Sequence, residues 1–197
     1  MKKTGCLLGV VVVAFLAIVV FWGIATYNGF IPKEEAVKSQ WANVENVYQR
    51  RADLIPNLVA TVKGYATHEE KTLTEVIEAR AKATQTTIDP TKLTDENIAA
   101  FQKAQDGLSG ALNRLMVSVE QYPNLKANEN FLDLQSQLEG TENRIAVERR
   151  TFNEKAQVFN TAIRRFPASM IAGFGGFQQK GYFKAAEGSD VAPTVQF

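Results

Sequence analysis

Across 197 residues, 22 basic side chains stand against 21 acidic ones, and no basic stretch is interleaved with aromatics, so nothing marks a nucleic-acid surface. A single cysteine, Cys6, excludes an intrachain disulfide and leaves the redox compartment open. The length suits one domain of about 100 to 200 residues with an appendage.

The first predicted element is the appendage. After "MKK" the sequence "TGCLLGVVVVAFLAIVVFWGIATYNGFIP" carries no charge, long enough as a helix to cross a hydrocarbon core of about 30 Å. Phe21, Trp22 and Tyr27 fall at its far end, where aromatic rings favour the interface. A cleaved signal peptide would need a small-x-small site after the apolar run, and a lipoprotein would need its cysteine after that run. The reading is a short flank over 1–6 and a retained span over 7–28, with Cys6 at the membrane edge. Lys2 and Lys3 lie closer to the span than Lys33 and Lys38, which places the N-terminus inside and the body outside the cytoplasm.

Residues 29–166 read as a helical bundle. A first helix over about 33–86 has the seam Trp41, Tyr48, Ile55, Val62, Glu69, Val76, with Val44, Leu58 and Tyr65 three positions further on. A second, about 95–122, has Phe101, Leu108, Leu115 and Tyr122; a third, about 128–166, has Phe131, Leu138, Ile145, Phe152, Phe159 and Phe166. The common seven-residue step draws helices into near-parallel, coiled-coil-like packing. Thr94 is an N-cap candidate, and short connections at Pro90 and Pro123 make successive helices antiparallel neighbours. The fold class is therefore all-α: a transmembrane helix followed by a long-helix, antiparallel, up-down-up bundle.

At 1.5 Å per residue the three helices measure roughly 80, 42 and 58 Å. The first outruns its partners, so it either bends back near "KGYATHE" or finds cover on other protomers. Pro56 is read as a kink in it. Trp41, Val44 and Tyr48 are then expected contacts of a homo-oligomer, unless C-terminal aromatics fold back over them. Gly140 lies on the expected solvent side of the third helix and implies close approach of another backbone there.

From Pro167 the chain changes character. Residues 167–197 are glycine-rich and studded with Phe174, Phe177, Tyr182 and Phe183, too short and broken for a second span. This segment is either a frayed tail or docks on the bundle, another protomer or the membrane surface.

Chemistry is sparse. His68 is the only histidine, and "THEE" lacks the second histidine of a zinc-protease helix. No Glu-x-x-His pairs suggest a di-metal bundle, and "GFGGF" follows no strand as a phosphate loop would. No catalytic, cofactor-binding or metal-ligating residue is expected. What remains is an interhelical polar cluster: Arg51 and Glu69 on the first seam, with Glu142 and Arg149 beside the third. Such charges fix register when they pair, and otherwise snorkel to solvent at the seam's edge.

The stretches "YQRRADLIPNLVATVKGYATHE", "TLTEVIEAR", "YPNLKANENFLDLQSQLEGTENRI" and "RRTFNEKAQVFNTAIRRFP" resemble the LemA family of membrane-anchored bacterial proteins, from about Tyr27 through Phe183. The resemblance implies an N-terminal anchor and a long-helix antiparallel bundle. It implies no catalytic activity and supplies no catalytic residues. The expected function is a non-enzymatic structural or interaction protein of the bacterial envelope, single-pass in the inner (cytoplasmic) membrane. It would self-associate and contact the lipid bilayer through 7–28, other envelope proteins, and no nucleic acid. The alternative is a membrane-tethered ligand-binding sensor or hydrolase using the Arg/Glu cluster.

Overall fold

The computed structural model describes residues 2–66 and 69–185, with side chains from Gly9 onward. The readings of Cys6, of His68 and of residues 186–197 lie outside what is described. The described chain is helical, without strands. Its helices are α1 (Lys2–Lys63), α2 (Glu70–Gln85), α3 (Asp95–Val119), α4 (Pro123–Lys126), α5 (Glu129–Arg164) and α6 (Ala168–Phe174).

α1 is one helix of 62 residues, about 93 Å at 1.5 Å per residue, and it runs through both Pro32 and Pro56. Its N-terminal part is long and apolar enough to cross a membrane. Pro56 cannot donate to the carbonyl of Ala52 one turn back. That orphan is taken up from outside the helix: Arg80 Nε of α2 donates to Ala52 O at 2.7 Å.

The expected helix over 33–86 is two helices. α1 ends at Lys63, where Tyr65 and Ala66 both donate back to the Val62 carbonyl, at 3.0 and 2.8 Å. The chain turns there, and α2 packs back along α1 and α3. The fold-back therefore sits at Gly64–Glu69, and Pro56 remains inside α1. The third helix also stops short of the expected 166: α5 ends at Arg164, and Phe166 is 83% exposed. The caps follow the sequence. Thr94 accepts from Asn97 N at 3.3 Å and Asn128 Oδ1 accepts from Phe131 N at 3.0 Å.

Contacts along α1 climb while those on α5 descend: Trp41 meets Phe152, and ten residues on Arg51 meets Glu142. Two apolar cores result. The one nearer the apolar end of α1 is built on Phe30, Val37, Trp41 and Val44 with Phe101, Phe152 and Phe159; the other on Ile55, Leu58 and Val62 with Leu108, Leu115, Phe131 and Leu138. Arg51 lies between them.

Trp41, Val44 and Tyr48 are 0%, 0% and 5% exposed, which corrects the premise that they lack cover within this chain. Trp41 makes edge contacts with Phe101 and Phe152 and stacks on Phe183 at 6.0 Å between centroids. Both alternatives to a second copy are realised: the chain turns back near "KGYATHE", and C-terminal Phe183 returns onto Trp41. Gly140 is exposed, and a Cβ there would meet nothing within 4 Å, so no backbone of this chain approaches it.

Candidate functional site

Arg51 occupies the seam that Val37, Val44 and Leu58 share at seven-residue spacing, and its side chain is 2% exposed. An ionised group so buried must be paired. Nη1 donates to Glu142 Oε1 at 2.7 Å and Ser109 Oγ at 2.8 Å; Nη2 donates to Gln105 Oε1 at 2.6 Å and Gln105 O at 3.3 Å. Its Cζ lies 5.1 Å from the Tyr48 ring centroid, within cation–π range. Gln105 Nε2 donates onward to Ala83 O at 3.2 Å, so one guanidinium ties α1, α2, α3 and α5 together. Burial pushes the Tyr48 hydroxyl pKa up, with the Arg149 and Arg51 charges opposing it. Nε of Arg51 has no partner among the described residues.

The other two members of the expected cluster lie elsewhere. Glu69 sits at the α1–α2 turn, where its carboxylate accepts from Tyr122 Oη at 3.1 Å and Thr72 Oγ1 at 3.3 Å. Arg149 turns to the C-terminal segment: Nη2 donates to Lys184 O at 2.7 Å and its Cζ lies 4.9 Å from the Phe183 ring centroid. Of the four, the structure joins only Arg51 and Glu142.

The segment after α6 forms a second polar arrangement. α6 closes at Gly176, whose φ of 73° is the left-handed region that favours glycine. Residues 177–185 then run without secondary structure across α1, α3 and α5. Three side-chain amides hold this strap by its backbone. Asn160 exchanges two bonds with Lys180, at 2.7 and 2.8 Å. Asn153 exchanges two with Phe183, both at 2.9 Å. Gln102 on α3 exchanges two with Lys184, both at 3.1 Å. Asn153 and Asn160 are two turns apart on α5, which matches the rise of the extended strap between its residues 180 and 183. Gly181 passes so close to the start of α3 that a Cβ would lie 2.5 Å from Asp95 N.

Side chains anchor the strap between the clamps. Phe183 enters the core against Trp41 and Phe152. Lys180, buried, pairs with Glu34 at 2.7 Å and lies 5.4 Å from the Phe159 ring centroid. The sequence reading missed Gln102, Gln105, Asn153 and Asn160. A signal was present: Gln102, Asn153 and Asn160 directly follow the seam residues Phe101, Phe152 and Phe159, and Gln105 keeps the seven-residue step of Leu112 and Val119.

Two turns along the same helix pair, from Gln102 to Ser109 on α3 and from Arg149 to Glu142 on α5, an open groove of about 650 Å³ lies between them. Leu112, Met116 and Leu138 line it, and Asn113, Glu139 and Asn143 rim it. No group of three or more His, Cys, Asp or Glu able to hold a metal ion occurs among the described residues.

A profile described as the LemA family matches residues 40–197, which takes in the Arg51 centre, the clamps and the strap. The chain belongs to the LemA family. It is 29% identical to "Magnetosome protein MamQ" of Magnetospirillum gryphiswaldense, over 83% of this chain and 66% of that protein. It is 28% identical to "Magnetosome protein MamQ 2" of Paramagnetospirillum magneticum, over 91% of this chain and 73% of that protein. "Protein LemA" of Metamycoplasma hominis is 24% identical, over 74% of this chain and 63% of its own length. The chain thus spans 63% to 73% of the length of these relatives, and none of the names denotes an enzyme.

Within the LemA-family chain, Arg51 links α1 to α3 and α5 directly and to α2 through Gln105. Both terminal nitrogens are engaged, and the one charged partner among the described residues is Glu142.

Proposed function

We propose that this LemA-family chain is a non-catalytic interaction protein of the bacterial envelope, anchored by a single pass in the inner membrane with its body outside the cytoplasm. The body acts as an antiparallel helical bundle that binds partner polypeptides. The single observation carrying this reading is the strap: α3 and α5 already hold an extended peptide by amide-to-backbone bonds, and the groove continues, open, along the same two helices. Backbone clamping gives affinity with little demand on sequence, as in other modes of extended-peptide recognition. The open half offers Asn113 and Asn143 across a floor of Leu112, Met116 and Leu138, suited to an extended segment of another envelope protein.

The alternative, a sensor or hydrolase built on the Arg/Glu cluster, loses support because Glu69 and Arg149 stand away from Arg51. Self-association through Trp41, Val44 and Tyr48 loses its rationale with their burial.

A photo-crosslinking residue at Asn113 or Asn143 of the full-length protein in intact cells should capture discrete adducts that the same residue at exposed Asp53 does not. Identical adducts at all three positions would defeat the groove assignment. Protease added to spheroplasts should digest the body, and full protection would reverse the orientation.

A further inference from the structure

We propose that α6 and the residue leading into it form a second membrane contact, a foot that dips into the same bilayer α1 crosses. This inference rests on the reading of the apolar part of α1 as a span. Phe166, Met170 and Phe174 recur every fourth position and are 83%, 56% and 90% exposed. Apolar surface of this size at one place on a chain marks a binding face. The opposite face of α6 fixes where that surface sits. Ile171 Cδ1 lies 3.5 Å from where a Cβ on Gly23 would be, and Ala172 is buried. Beyond the helix, Phe177 packs on Tyr27 and Phe30, at 5.3 and 5.2 Å between centroids.

α6 therefore stands beside residues 23–30 of α1, and Gly23 lies inside the apolar run that ends near Tyr27. Counting four residues at 1.5 Å each, Ile171 lies about 6 Å below Tyr27, within the depth at which interfacial helices bury their apolar faces. Phe21 and Ile24 of α1, 73% and 54% exposed, lie at the same level along the span. Lipid is the partner that this level along the apolar run supplies, and the charges agree. Arg164 and Arg165, exposed at the end of α5 immediately ahead of Phe166, suit headgroup phosphates at the rim of the foot. Two contacts from one body, α1 and α6, would hold the bundle at a set angle to the membrane plane.

The test uses the full-length chain in vesicles of equimolar phosphatidylethanolamine and phosphatidylglycerol, with Cys6→Ser as background. Nitroxide labels are placed at Phe174→Cys, at Val13→Cys in the span and at Glu78→Cys on the exposed face of α2. Phe174 is so exposed that its replacement leaves the fold untouched. The expected result is oxygen-dominated relaxation at Phe174, like Val13, against nickel-chelate-dominated relaxation at Glu78. Water-like relaxation at Phe174 with an oxygen-dominated Val13 overturns the foot and leaves the span standing. Water-like relaxation at Val13 defeats the span reading and the foot with it. Dipolar broadening at Phe174 shows a second copy on this face and also overturns the proposal.

Discussion

The partners around the Arg51 guanidinium are unequal in what they lose if it is removed. Gln105 is buried and would be left with an unpaired amide oxygen, whereas Glu142 has 46% of its side chain exposed and can turn to water. Arg51→Ala should therefore cost on the order of 3 kcal/mol, lowering the melting temperature by about 10 °C. Glu142→Gln keeps an acceptor near Nη1 and should cost less than about 1 kcal/mol. Circular dichroism melts in detergent compare the two, and equal losses would move the stabilisation from Gln105 to the ion pair. Two glycines give opposite signs. Gly140→Ala enters open space in a helix interior and should stabilise by about 1 kcal/mol. Gly181→Ala drives a methyl into the backbone of Asp95 and should cost about 1 to 3 kcal/mol. Destabilisation or altered oligomer size on Gly140→Ala would restore the close backbone approach that its position on α5 suggested.

At the scale of elements, Pro56 is best understood with Arg80. The proline strips Ala52 O of its helical donor, and Arg80 reaches from α2 to replace it, docking α2 on α1 at a defined height. This makes a coupled prediction. Arg80→Ala should cost about 1 kcal/mol in the native background, and much less once Pro56→Ala restores the helical N–H to Ala52 O. A double-mutant cycle with no coupling in thermal melts would sever the link between the two residues.

The seams of α3 and α5 were readable because heptad packing repeats a chemical choice at fixed spacing, and Arg51–Glu142 because a charge on such a seam must find its opposite. The turn near "KGYATHE" was left as one of two alternatives by the same regularity. Val62, Glu69 and Val76 keep the seven-residue step across a break in the helix, and only Gly64 hints at it. Docking of the C-terminal segment was also left as an alternative, and its clamps were hidden for the converse reason. An extended segment held by its backbone leaves no periodic trace, and its amide partners Gln102, Asn153 and Asn160 look like ordinary polar positions beside a seam.

Taken whole, the molecule is built along one long helix, with one core near its apolar end and another beyond Arg51, and the strap serves only the first. Phe183 belongs to that core, stacked on Trp41 and edge-on to Phe152, while Leu58, Leu115 and Leu138 belong to the second. The two cores are joined through α1, α3, α5 and the Arg51 centre, not through shared apolar contacts with the strap. A defect in the strap should thus be felt unevenly. Phe183→Ala removes a fully packed ring and should cost about 3 to 5 kcal/mol, since the clamped backbone prevents the site from collapsing onto the void. Local opening draws on the least stable unit first, so the loss should concentrate where the ring was. Hydrogen exchange of the full-length protein should show lost protection around Trp41 and Phe152 and near-native protection around Leu58 and Leu115. Equal loss in both regions would mean one cooperative unit spanning Arg51. No loss in either would mean that the amide clamps alone hold the strap.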